Sequence, residues 1–321
     1  MRNFIVLDLE WNQGSEGKQK ENNALPFEIV EIGAVKLDQN KNIIDSYSQL
    51  IKPQVYLQIH YMTQKIVHLN MDELEEGKEF PAVFSEFMEW CGDDYIFCTW
   101  GSLDLMELQR NMQFYDLEPL SHGPLKYLDI QKLFSIAYED EKTRRTLEYA
   151  VDYLAIDKKE DFHRALSDAY YTSRIYQQIN DPHVESHVSF DIFHTPVDRE
   201  NEIHVVFDNY SKYISREFKD KNVAISDREV ASTRCYKCGK NARKKVRWFS
   251  VNGKHYYCLS YCNEHGYIKG KARMKHAESG NVYVVKTLKL ISESEAQKII
   301  EKKERLRIQR KKKRREKKDS W

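Results

Sequence analysis

Long apolar runs are missing from this chain. No stretch of its 321 residues approaches the ~18 consecutive apolar positions that a membrane-spanning helix requires, so no membrane partner is expected. The opening run at residues 4–7 is too short for a secretory signal and meets Asp8 at once, and the protein is expected to be cytoplasmic. Cysteine is sparse, at six residues. So few in so long a chain do not make a disulfide framework and read instead as thiols or metal ligands. No internal repeat is visible. Neither sign of charge dominates, with 51 Lys and Arg against 50 Asp and Glu, a net of +1. Core-forming material is plentiful, at 41% hydrophobic and 12% aromatic, and the length suits about two domains.

The neutral total hides a segregation. Residues 1–227 carry a net charge of −18 and residues 228–321 a net charge of +19. An acidic body joined to a basic end points to nucleic acid, an anionic surface or an acidic partner. Patterning divides the chain in the same way. Residues 4–9, 28–37, 41–51 and 95–98 are apolar runs expected as strands. Phe80, Val83, Phe84, Phe87 and Met88 keep a helical period, as do Ala165, Ala169, Thr172, Ile175 and Ile179, until Asp181 and Pro182 stop it. Helices are also expected at 104–112 and 146–154. Strands alternating with helices predict an α/β domain over residues 1–182, with an exposed loop at 12–26. Residues 183–230 show apolar patches without a period and are expected to bridge. Residues 231–290 form a small basic unit with a hairpin turning at Ser279, Gly280 and Asn281. Residues 291–321 open on a capping box, Ser292 to Glu295, and are expected as a basic helical tail.

Acidic residues carry the first chemical signal. Asp8 and Glu10 close the first strand, and alternation puts both on one face. Two carboxylates so placed repel unless a cation lies between them, and oxygen donors suit Mg²⁺ or Mn²⁺; an exposed strand end is the plain alternative. Asp104 follows a strand and the Gly101 turn, which also fits a helix acid complementing the dipole. His163 and Asp168 are five apart, about 140° around a helix, and converge best if His163 sits in the loop before the helix. Taken singly, they also read as a surface histidine and a helix-face acid.

Taken together, the order Asp-x-Glu, Asp, His-x4-Asp resembles the DEDDh branch of the DnaQ-like 3′→5′ exonucleases, which have a ribonuclease-H-like fold. Residues 27–34 (FEIVEIGA) look like that family's second strand. Residues 97–104 (FCTWGSLD) and 163–171 (HRALSDAYY) are similar to the second and third motifs of its ERI-type and KapD-like subfamily. The resemblance covers roughly residues 1–180. It implies that Asp8, Glu10, Asp104 and Asp168 hold two Mg²⁺ or Mn²⁺ ions and that His163 is the general base taking a proton from the attacking water, a task suited to imidazole near neutral pH. It also implies an RNA substrate in preference to DNA. One departure is the family's Leu-Thr-Gly-Ile segment, which the corresponding stretch 59–74 lacks. Trp11, beside Glu10, reads either as a base-stacking residue or as a core-edge aromatic. A DNA-acting proofreading exonuclease and a non-catalytic RNA-binding protein on a nuclease scaffold are the competing readings.

The basic half carries a second signal. Cys235 and Cys238 form a Cys-x2-Cys knuckle, and Cys258, Cys262 and His265 lie downstream. A structural Zn²⁺ takes four ligands as two close pairs. Cys262 with His265 repeats the first spacing, each pair ending in Gly; Cys258 with Cys262 is the alternative. The unit resembles a zinc ribbon. Arg243, Lys244, Lys245, Arg247, Lys271 and Arg273, interleaved with aromatics, suit single-stranded nucleic acid. The run RKKKRR at 310–315 suits an added non-specific grip, on a ribosome or another RNA-associated partner.

Overall fold

A computed structural model of the chain describes residues 2–14, 22–67, 69–159 and 161–319. The chain forms two compact units, Met1–Phe193 and His194–Trp321. The expected loop at 12–26 lies partly outside the described residues. Among the described residues no helix is long and apolar enough to cross a membrane.

In the first unit the elements run β1 (Asn3–Asn12), β2 (Glu28–Leu37), β3 (Ile43–Leu50), α1 (Tyr61–Val67), α2 (Met71–Glu75), α3 (Phe80–Cys91), β4 (Tyr95–Thr99), α4 (Leu103–Phe114), β5 (Leu125–Asp129), α5 (Ile130–Tyr138), α6 (Leu147–Tyr153), α7 (Ala165–Gln178), α8 (Pro182–Glu185) and β6 (Ser189–Asp191). The sheet order is β3-β2-β1-β4-β5-β6. β1 pairs antiparallel with β2 and parallel with β4, and β4 is parallel to β5, so the central sheet is mixed. This is the α/β, ribonuclease-H-like architecture expected.

Both faces of the sheet are covered, which explains the near-continuous apolar run of β1. Ile5, Leu7 and Leu9 pack with Val83, Phe87, Leu105 and Leu108 of α3 and α4. Val6 points the other way, with Val35 and Cys98, onto Leu133, Ala169, Ile175 and Tyr176 of α5 and α7. Each such buried side chain contributes about 1.5–3 kcal/mol. By alternation Asp8 and Glu10 share the α7 face with Val6. The α7 stripe opens on the small residues Ala165 and Ala169, both fully buried. Its partner on β2 is Gly33, where an added Cβ would sit 2.1 Å from the carbonyl carbon of Ala165 and 2.1 Å from the amide nitrogen of Leu166. Helix backbone therefore lies directly on strand backbone at this point.

The second unit contains β7 (Ile203–Val206), β8 (Tyr210–Ile214), α9 (Lys221–Ser226), α10 (Arg228–Ala231), β9 (Arg243–Ser250), β10 (His255–Cys262), β11 (Gly266–His276), β12 (Val282–Ile291) and α11 (Glu293–Asp319). Its sheet runs β7-β8-β12-β11-β10-β9 and is antiparallel throughout. Gly280, at φ 82°, turns the expected hairpin between β11 and β12. The capping box also forms: Glu295 N–H donates to Ser292 Oγ, and Ser292 N–H to Glu295 Oε2. Two boundaries differ from expectation. The stretch 183–230 is not a separate bridge; β6 joins the first sheet, while β7, β8, α9 and α10 belong to the second unit. The cysteine-bearing part is not a free-standing ribbon over 231–290 either. Tyr213 and Phe218 share a core with Ala272, Met274 and Val284, so its apolar face is completed from upstream.

Candidate active site and metal centres

The β1–β2 register sets Asp8 opposite Gly33 and Glu10 opposite Glu31. Because Gly33 has no side chain, the start of α7 occupies the space above it, and Asp168, one turn into α7, arrives beside the β1 acids. Ligand oxygens of Asp8, Glu10 and Asp168 lie within 4.8 Å of one another. β4 runs parallel to β1, and past its end the chain turns at Gly101 (φ 107°) into α4. That turn delivers Asp104, which is 6% exposed and accepts a hydrogen bond from the Leu9 amide. Three of the predicted acids therefore group together, and Asp104 lies near enough to act on Asp8 through its charge.

Electrostatics record the crowding. Burial raises Asp8 well above the usual carboxylate range, and Asp104, Glu10 and Asp168 add to it. Burial and then Asp168 and Glu31 push Glu10 up to about 8. Asp104 rises to about 7 and Asp168 to about 6, in both cases mainly through burial. A site like this holds protons or cations, because four neighbouring carboxylates cannot all ionise alone. Asp168 Oδ1 is buried without a hydrogen-bond partner. Hard oxygen donors with a spare buried lone pair fit Mg²⁺ or Mn²⁺.

His163 precedes α7, is exposed, and has φ 68°. Its amide donates to Asp168, and its ring opposes the upward shift of that acid. The placement is the loop-then-helix arrangement that lets residues five apart converge. Trp11 packs on Phe27, with ring centroids 5.7 Å apart.

Sequence reasoning missed two contributors. Glu31 is 1% exposed and forms a forked ion pair with Arg164, at 3.0 Å to Nη2 and 3.1 Å to Nε, while also accepting from the Ala165 amide. It ties the start of α7 to β2 beside the site. Its position among the apolar residues 29–35 marks it as unusual, but nothing in the strand alone shows what it faces. Asp129 ends β5, caps α5 through the Lys132 amide, and raises Asp104 by its charge. Its strand, only five residues long, shows no alternation to betray it.

In the second unit Cys235, Cys238, Cys262 and His265 come together from two turns, one before β9 and one between β10 and β11. Cys235 Sγ lies 3.6 Å from His265 Nδ1, Cys238 Sγ 3.7 Å from Cys262 Sγ, and Cys262 Sγ 3.7 Å from His265 Nδ1. Ligands at Zn–S ≈ 2.3 Å and Zn–N ≈ 2.0–2.1 Å in a tetrahedron stand about 3.6–3.8 Å apart, so this donor set fits Zn²⁺. The His265 ring and nearby amides draw the Cys262 thiol down to about 6, which favours the ligating thiolate. Cys258 stands outside the group. It is buried beneath Gly270, where a Cβ would lie 2.3 Å from its sulfur, and burial pushes its thiol up to about 12. Arg243, Lys244, Lys245, Arg247, Lys271 and Arg273 are all exposed. Lys244 lines a groove of about 910 Å³ with Arg199, Arg228 and Arg234.

Known proteins resemble part of this chain. The chain is 23% identical over 189 residues to the PolC-type DNA polymerase III of Staphylococcus epidermidis, and 24% identical over 188 residues to that of Staphylococcus aureus. These matches take in 58% and 57% of this chain but only 12% of either polymerase. A solved full-length 3′-exonuclease superposes with a TM-score of 0.47 at 21% identity, covering 55% of this chain and 80% of its own. The cell-death related nuclease CRN-4 gives a TM-score of 0.47 at 15% identity, covering 60% and 67%. The RNase T-type exonuclease family model matches residues 5–176, the span that brings together Asp8, Glu10, Asp104, His163 and Asp168. With more than half its length in that match, the chain belongs to the exonuclease family.

Proposed function

We propose that the protein is a divalent-metal-dependent 3′→5′ exonuclease acting on RNA or short single strands. The observation that carries this reading is the grouping of Asp8, Glu10 and Asp168, with a buried Asp168 oxygen that has no hydrogen-bond partner and with Asp104 close enough to Asp8 to raise it. These four residues would hold two Mg²⁺ or Mn²⁺ ions, which when bound activate water and neutralise charge on the attacking and leaving oxygens. His163 accepts the water proton on its ring, and its exposed position lets it pass that proton to solvent. Arg164 and Glu31 orient the α7 start that carries both His163 and Asp168. In the second unit Cys235, Cys238, Cys262 and His265 hold one structural Zn²⁺, and the surrounding cations capture substrate. The RNA preference rests on the resemblance of residues 97–104 and 163–171 to the ERI-type subfamily.

The test is a 5′-labelled RNA oligonucleotide with Mg²⁺ or Mn²⁺. Stepwise shortening, abolished by a 3′ block, is expected; shortening that ignores the block overturns the polarity. A second reading, proofreading of DNA, has the PolC matches behind it. Running the same assay on single-stranded and mismatched duplex DNA separates the two.

A further inference from the structure

Alternation along β11 sends its residues to two different places. Ile268, Ala272 and Met274 face the cores that contain the cysteine cluster and the Tyr213 side chain. Lys269, Lys271 and Arg273 face the opposite way. On that second face the β11–β12 register sets Lys269 directly across from Lys289, and the β10–β11 register sets Lys271 across from Tyr257. The start of α11 covers one end of this face, with Ala296 and Ile299 on Val246 and Leu259. From the next turn of α11 Lys302 reaches back, its Nζ 4.6 Å from the centre of the Tyr257 ring. Lys269 Nζ lies 5.8 Å from the same ring. Lys269 and Lys302 thus flank one tyrosine, Lys271 is its ladder partner, and Lys289 stands across from Lys269.

This arrangement is costly. Like charges directly opposite in a ladder destabilise it. Burial holds the half-buried Lys269 below the ordinary lysine value, and Lys271, Lys302 and Lys289 push it further the same way, with Glu295 opposing. A polyanion laid across the face would relieve the repulsion and add cation and ring contacts along its length. The ladder neighbours of these lysines are Tyr257, Leu259, Thr287 and Tyr210, and the one aliphatic among them, Leu259, is fully buried, so they offer no exposed aliphatic patch of the kind a bilayer would take up.

We infer that the face built from Lys269, Lys271, Lys289 and Lys302 around Tyr257 is a binding surface for the phosphate backbone of a single-stranded nucleic acid. The inference rests on the exonuclease reading of the same chain. It differs from the sequence expectation by placing contacts on Lys289 and Lys302, which the spacing of basic residues did not mark, and by separating them from Lys244 on β9.

The full-length protein is titrated with a fluorescent 20-nucleotide RNA, without added Mg²⁺ or Mn²⁺, across a range of salt concentrations. Single strands release about 0.7 counterions per phosphate contact, so Lys271→Gln with Lys289→Gln should flatten the slope of log affinity against log salt by about 1.4. Lys219→Gln with Lys221→Gln, the same charge change away from this face, should alter it less. Unchanged slope and affinity in the Lys271/Lys289 variant, or no binding by the unmodified protein, overturn the proposal. Loss of binding to phosphatidylserine vesicles with an unchanged RNA slope also overturns it, in favour of a lipid surface. Hydrolysis of a dinucleotide with Mg²⁺ is measured on the unmodified protein in parallel. If the parent hydrolyses nothing, the exonuclease reading fails while the salt slope still reports on this face.

Discussion

The carboxylate cluster of the first unit draws Asp8 and Glu10 from β1 and Asp168 from α7, with Asp104 of α4 nearby, elements far apart in the chain. The cysteine cluster of the second draws its ligands from two turns. In the first unit the fold comes before the site: two apolar cores and the Gly33 contact hold the acids together although they repel. In the second the site supports the fold, because Cys235 and Cys262 are themselves core residues packed with Ile268 and Leu288. The donors match these roles, exchangeable hard oxygens in one and sulfur with imidazole in the other. Metal should therefore be removable from the first unit at the expense of activity, and from the second at the expense of structure.

The strongest way to break that comparison is Asp8→Asn. It should lower the hydrolysis rate about 10³-fold. The metal-free protein should melt a few degrees higher, because a buried charge repelled by three others has been neutralised; a lower melting temperature would make the carboxylates structural. Cys238→Ser should do the reverse. Zinc content should drop from one per chain to near zero, and melting of the second unit should fall by about 10–20 °C, while a dinucleotide is still cleaved. Calorimetry with metal analysis checks both. Glu31→Gln sharpens the picture within the first unit. Loosening Arg164 at the start of α7 should reduce kcat about 10–100-fold with the fold intact, read from kcat across a Mg²⁺ titration. The smallest effect concerns pH. Glu10 at about 8 and Asp104 at about 7 keep protons in the folded state that the unfolded chain gives up near 4. The folded state binds more protons in that window, so stability of the metal-free protein is full below about 4 and declines as pH rises through about 8. Added Mg²⁺ or Mn²⁺ should raise the melting temperature more at pH 8 than at pH 6, and an equal rise at both would show that the acids are not competing with protons.

Much of the first unit was legible because its main elements carry strong periods. β2 spans the expected residues, and α3, α4 and α7 fall within about two residues of expectation. That Asp8, Glu10 and Asp168 would lie together was legible because the order of the acids and His163 is distinctive. The short pieces were not: α1, α2 and β5 offer too few residues to show a period. Glu31 was hidden because a single strand does not reveal which residue faces it across the ladder. The second unit was misjudged for the same reason. β7 and β8 read as apolar patches because β8 pairs with β12, some 70 residues onward, and β7 pairs only with β8. Lys289 and Lys302 were not legible as part of the lysine face because they join it by register and by the packing of α11, not by sequence spacing.

Gly33 sets a length scale. The gap between sheet and helix over the acids is fixed where main chain meets main chain, and no side chain acts as the spacer. Cores elsewhere in the unit can exchange one aliphatic residue for another and absorb the change in volume. The span between Asp8 and Asp168 does not draw on that tolerance. Drift in the surrounding core can therefore retune stability without recalibrating the distance on which the chemistry depends.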